Sequence, residues 1–77
     1  MVLSEAAAEK KLKINAILSG KEALRRLSSM GIHVDDELIK LNNPKWGPIL
    51  IQNLSNGTNK IALGRGLAEN ILVEYGA

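Results

Sequence analysis

Ile49-Leu50-Ile51-Gln52-Asn53-Leu54-Ser55-Asn56-Gly57-Thr58-Asn59-Lys60-Ile61-Ala62-Leu63 is the stretch on which the fold turns. Two runs that favour extended backbone, Ile49 to Ser55 and Thr58 to Leu63, flank Asn56-Gly57. A two-residue hairpin turn needs positive φ at both central positions, and Asn followed by Gly tolerates that at the least steric cost. The stretch therefore reads as a β-hairpin. Upstream, Asn42-Asn43-Pro44-Lys45-Trp46-Gly47-Pro48 concentrates turn residues around the lone tryptophan, a connection too long for the tightest turns that should project from the sheet. A second strand, Glu37 to Leu41, precedes it with Leu38, Ile39 and Leu41 as its apolar members, entered through the turn chemistry of Asp35-Asp36. Downstream, Gly64-Arg65-Gly66 interrupts the strand, Leu67 to Asn70 has room for one helical turn, and Ile71 to Tyr75 alternates as a closing strand.

The N-terminal half completes the set. Residues through about Lys10 favour helix but are too few to hold one without docking, so their state stays open. From Lys11 the period is two, with Leu12, Ile14, Ala16 and Leu18 on one face and Lys13, Asn15 and Ile17 on the other, a half-buried strand. Ser19-Gly20-Lys21-Glu22 has the spacing of a capping box that starts a helix. Ala23, Leu24, Leu27 and Met30 give it an apolar face, and Gly31 is placed for a left-handed C-terminal cap with Ile32 folding back onto Leu27. Five short strands in an open sheet leave edges exposed, so a small, partly closed SH3-like β-barrel with the helix over one opening is the expected architecture. Residues 1–77 are expected to form a single domain.

The composition narrows the function. In 77 residues, 45% apolar and 23% charged, there is no cysteine, so the domain must hold by packing and hydrogen bonds, as suits a reducing, cytoplasmic setting. The longest apolar runs, such as Pro48 to Ile51, fall far short of the roughly twenty residues that span a bilayer, so no membrane insertion is expected. The two sequons, Asn53-Leu54-Ser55 and Asn56-Gly57-Thr58, carry no meaning without a secretory route. The sole histidine, His33, has no nucleophile or base placed beside it by spacing, so the chain is not expected to be an enzyme. Metal ligation could draw only on His33 with Asp35 and Asp36, and a solvated turn is the favoured reading over a metal site. No cofactor is implied: Gly64-Arg65-Gly66 lacks the third glycine of a dinucleotide fingerprint and reads as a bend.

Three kinds of partner remain. A net charge of +2 and a pI of about 9.2 raise nucleic acid, but only Trp46 and Tyr75 could stack on bases and the basic residues are interleaved with acidic ones, which weighs against it. Arg25-Arg26 on the helix reads either as a finger for a partner GTPase or as a solvated pair, the latter favoured. Trp46 is either a binding anchor at a loop tip or a plug folded into the barrel. Self-association through the exposed helix face is the third reading.

Several segments together resemble the FeoA family: Leu3-Ser4-Glu5 at the start, Arg26-Leu27-Ser28-Ser29-Met30-Gly31-Ile32, the hairpin edge Gly47-Pro48-Ile49, Ile61-Ala62-Leu63-Gly64-Arg65, and an ending from Ala68 through Ile71 to Val73. The family usually has Pro-Gly turns where this chain has Glu9-Lys10 and Asp35-Asp36. The resemblance implies a cytosolic, non-enzymatic SH3-like accessory protein of bacterial ferrous iron transport that touches the GTP-binding portion of the membrane iron transporter. The same module occurs at the C-terminus of metal-dependent repressors. With no winged-helix region ahead of it here, the transport accessory is the expected role. Candidate partner-binding residues on that reading are Leu24, Arg25, Arg26 and Met30 of the helix and Trp46 of the loop.

Overall fold

A computed structural model describes residues 1–18, 20–55 and 60–76. After a 3-10 turn at Leu3–Glu5 come strand β1 (Lys11–Ile17), helix α1 (Gly20–Ser29), strands β2 (Glu37–Lys40), β3 (Ile49–Asn53) and β4 (Lys60–Leu63), a one-turn helix α2 (Arg65–Ala68) and strand β5 (Ile71–Tyr75). The strands form one antiparallel sheet in the order β4-β3-β2-β1-β5. The expected count of strands and the mainly β class therefore stand, but the sheet is not closed: β4 and β5 are its two edges. One reason lies at the N-terminus, which occupies the outer edge of β5. Val2 bridges Leu72, and the Met1 carbonyl accepts from the Val73 amide at 2.8 Å. The middle of that edge is thus paired without a sixth ladder.

Docking also decides the opening residues. Leu3 and Ala6 are buried in the same core as Leu12, Ile14, Leu38, Ile51 and Val73, so the segment is fixed by packing and not by helix propensity.

Strand β1 departs from simple alternation, and the β3–β4 ladder departs from the register of the tightest hairpin. In β1 the pairing with β5 slips between Ile14 and Ala16, a bulge that lets Asn15 stand as an extra residue. Beyond it the faces exchange: Ile17 packs on the core and Leu18 is exposed, the reverse of the strict two-residue period. In the hairpin, a two-residue turn on Asn56-Gly57 sets Gln52 opposite Ile61, whereas the ladder sets Ile51 opposite Ile61 and ends at Gln52 with Lys60. Beyond Asn53 the chain leans towards β2, with the Leu54 amide donating to the Glu37 carbonyl at 2.8 Å and the Ser55 amide to Asn53 Oδ1 at 2.9 Å. Asn56 and Gly57, like Ser19, which is expected to cap the helix, lie outside the described residues.

Helix α1 ends as its sequence requires. Gly31 has φ of 81°, its amide donates to the Ser28 carbonyl and the Ile32 amide to the Leu27 carbonyl, the double bond of a Schellman cap, and Leu27 and Ile32 are both fully buried. Only Ala23 and Leu27 of the helix reach the core; Leu24 and Met30 are exposed, at 45% and 38%. Leu24 sits one residue past Ala23 and so about 100° round the helix.

The turns at residues 9 and 35 both use positive φ at a residue other than glycine: 61° at Glu9 and 73° at Asp35. Such a backbone costs a side-chain-bearing residue about 1–2 kcal/mol, of which the greater unfolded-chain freedom of glycine offsets about 0.5–1 kcal/mol. No hydrogen bond or ion pair of the Glu9 side chain opposes an exchange among the described residues. Glu9→Gly is expected to raise stability by about 0.5–1 kcal/mol, or several degrees in a thermal melt, with Glu9→Ala giving no such gain. Equal melting temperatures for the two variants would show that the turn carries no strain.

Candidate functional site

Four features stand out, three at the surface and one beneath it. The first is an open cleft of about 440 Å³ between α1 and the segment 64–70, with Ala23, Arg26 and Met30 on one wall and Gly66, Leu67 and Asn70 on the other. Helical spacing puts Glu22, Arg26 and Met30 on one flank of the buried Ala23–Leu27 stripe and Leu24 on the opposite flank. The structure thus brings Arg26 and Met30 together in the cleft and leaves Leu24 outside it. Arg25 points to solvent and pairs with Glu22 at 2.8 Å, an exposed i, i+3 pair that adds little to stability. Arg26 makes no ion pair among the described residues.

The second feature is the β2–β3 loop. Trp46 is 86% exposed, which excludes the barrel plug. Its loop is nevertheless braced. Asn42 Oδ1 accepts from the Leu50 amide at 2.9 Å, Asn42 Nδ2 donates to the Pro48 carbonyl at 3.3 Å, and Arg65 Nη2 donates to the Pro44 carbonyl at 2.6 Å. Arg65 opens α2, so the loop is tied to the same segment that walls the cleft. Gly64-Arg65-Gly66 is the bend that starts this helix, with Gly64 at its N-cap.

Beneath the loop lies Lys40, the last residue of β2, with no solvent exposure at all. Its ammonium donates to the carbonyls of Ala6 (2.7 Å) and Ser4 (3.1 Å) and reaches Asn43 Oδ1 at 3.4 Å. Burial lowers its pKa, and the positive charge of Arg65 lowers it further. The folded chain therefore releases this proton at a lower pH than the unfolded chain does. Below the folded-state value both states are charged and the burial penalty is fully present. As pH rises from there to the ordinary lysine value of about 10.4, the unfolded state binds more protons and the penalty is relieved, so this group's contribution to stability increases. Urea denaturation of the wild type and Lys40→Met across that window should show the wild type gaining on the variant as pH rises. A constant difference would mean the ammonium is not desolvated.

The fourth feature surrounds His33. Asp36 Oδ2 accepts from the His33 amide at 2.9 Å and from Asn53 Nδ2 at 3.0 Å, and Asn53 Nδ2 also donates to the Gly31 carbonyl at 3.1 Å. Asp35 faces Lys13 at 4.0 Å on the outside. Among the described residues no three His, Cys, Asp or Glu side chains gather as a metal site, and the Asp36 carboxylate is engaged in holding the turn.

Lys40 and Asn53 escape a reading based on polarity, yet the period-two pattern contains both. Lys40 shares a face with Leu38, and Asn53 with Ile49 and Ile51, so each sits at an inward position.

Comparison with known proteins places this architecture. The FeoA domain model matches residues 1–75. A Methanocaldococcus jannaschii relative bearing the name Fe(2+) transport protein A is 43% identical over 61 residues, covering 79% of this chain and 70% of that protein. The crystal structure of an iron uptake regulatory protein, FeoA, superposes with a TM-score of 0.86 at 32% identity, covering 97% and 96% of the two chains. Stenotrophomonas maltophilia FeoA complexed with zinc, described as a prokaryotic SH3 domain protein, superposes with a TM-score of 0.76 at 25% identity over 96% and 89%. The five-stranded sheet with its two helices is thus a mainly β, SH3-like module. The chain belongs to the FeoA family, the accessory proteins of ferrous iron transport.

Proposed function

We propose that this chain acts in the cytoplasm as a non-enzymatic interaction module, binding the GTP-binding portion of a membrane ferrous iron transporter and altering its activity or assembly. Membership of the FeoA family supports the transport setting. No helix among the described residues is long and apolar enough to cross a membrane. The observation that carries the reading is Trp46, an indole exposed at the tip of a loop whose stem is held by side-chain hydrogen bonds from Asn42 and Arg65. A large aromatic presented to solvent on a braced loop loses little conformational entropy on docking. Leu24, Arg25 and Arg26 of α1, with Met30 just past its end, supply the second contact surface, the last two within the cleft.

The decisive experiment titrates this protein against the isolated GTP-binding region of the transporter from the same source, with GTP hydrolysis followed in parallel. Saturable one-to-one binding supports the accessory role, and a changed hydrolysis rate makes it regulatory. Absence of binding to both that region and the intact transporter in detergent would overturn it.

A further inference from the structure

Lys40 is a buried cation with no carboxylate within ion-pair distance among the described residues. Its three acceptors are dipoles, and they come from two segments with no regular strand of their own: Ser4 and Ala6 from the N-terminal segment, Asn43 from the β2–β3 loop. The backbone repeats the arrangement, for the Glu9 amide donates to the Lys40 carbonyl at 2.7 Å, and the next residue, Leu41, opens the loop stem by donating to the Leu50 carbonyl at 2.7 Å. An uncompensated buried charge is costly unless each partner stays in place, so a single ammonium shared by two segments makes the order of one depend on the order of the other. A lysine serving packing alone would carry its amine to solvent along its flexible stem.

We propose that Lys40 is a positioning residue that couples docking of the N-terminal segment to the set of the Trp46 loop, so that displacing residues 3–6 loosens the loop and anchoring them stiffens it. The inference rests on the reading of Trp46 as a partner contact, and it supplies that contact with a control point some forty residues away in the sequence, at Leu3–Ala6.

The test uses the whole chain without a partner, so that its outcome is independent of whether a transporter binds. Asn43→Ala removes the loop's share of the ammonium and leaves the N-terminal share intact. If the two are coupled, this loop substitution speeds amide hydrogen exchange at Ala6 and Glu9 by about fivefold, the factor that matches one net hydrogen bond. The fluorescence anisotropy of Trp46, the sole tryptophan of the chain, should fall at the same time. Lys40→Met should produce both effects more strongly, and Lys40→Arg, which keeps charge and donors, should reverse most of each. Should Lys40→Met fail to fold, the Asn43→Ala result stands alone. Exchange at Ala6 and Glu9 unchanged in Asn43→Ala, with effects confined to the loop, would overturn the coupling. With the transporter region present, weaker binding by Asn43→Ala extends the coupling to the partner. Loss of coupling with binding intact refutes this inference alone, and loss of binding with coupling intact refutes only the partner reading.

Discussion

Asn53→Leu should destabilise the protein by about 2–4 kcal/mol, although it exchanges a 3% exposed side chain for an apolar one of similar volume. The Asn53 carboxamide donates to Gly31, which caps α1, and to Asp36, which closes the His33–Asp36 turn, and it accepts from Ser55 beyond β3. Leucine fits the space but supplies none of these bonds, and the partners it deserts are polar groups at the margin of the core. Losing the bond to the Gly31 carbonyl costs about 0.5–1.5 kcal/mol and the bond to the Asp36 carboxylate about 1.5–3 kcal/mol. A domain of this length has roughly 4–12 kcal/mol in total, so the melting temperature should fall by roughly 10–30 °C. Asp36→Ala removes the other end of one bond, and the double variant should lose less than the sum because that bond can be lost only once. Urea denaturation of the four proteins measures the coupling. Single losses that add within about 0.5 kcal/mol would show the two side chains to be independent.

The same residue shows where sequence reading reaches its limit. Alternation in Ile49-Leu50-Ile51-Gln52-Asn53 puts Asn53 inward with Ile49 and Ile51, and alternation in Glu37-Leu38-Ile39-Lys40 does the same for Lys40. Once the structure shows which face is inward, the two-residue period carries the position of both, although adjacent Leu38 and Ile39 leave that face undecided in the sequence. What it could not carry was their partners, because Gly31, Asp36, Ser4 and Ala6 are brought in by other segments, and a buried polar group is recognised by what satisfies it. The helix end was legible for the opposite reason. Gly31, Leu27 and Ile32 form a local motif whose bonds close within six residues. The bulge at Asn15 was not legible, since it depends on the pairing of β1 with β5, which lies at the far end of the chain. It exchanges Ile17 for Leu18 at the core and leaves Leu18 exposed. Of the candidate contact residues, Trp46 could be read as exposed or buried from sequence with equal justice. The structure decides for exposure: the indole is 86% exposed, on a loop whose backbone is held by Asn42 and by Arg65 from beyond β4.

Trp46→Ala is expected to weaken binding to the GTP-binding region by about thirtyfold or more, the effect of losing a central aromatic anchor, while leaving folding stability within about 0.5 kcal/mol of the wild type. The two halves of this expectation follow from one geometry. At 86% exposure the indole buries almost nothing in the free protein, so its removal deprives the fold of little. On docking, the same surface becomes available for burial, and the stem bonds to Pro44, Pro48 and Leu50 mean that little loop entropy is spent in holding it there. Met30→Ala, in the cleft, should cost less, because Met30 is already partly covered by the protein and offers a smaller new area. Arg25→Ala should cost least, since its guanidinium is committed to Glu22 and open to solvent. Titration of the three variants against the transporter region orders them. A Trp46→Ala protein that binds as tightly as the wild type while Met30→Ala binds weakly would move the contact from the loop to the cleft, and with it the residues on which partner choice depends.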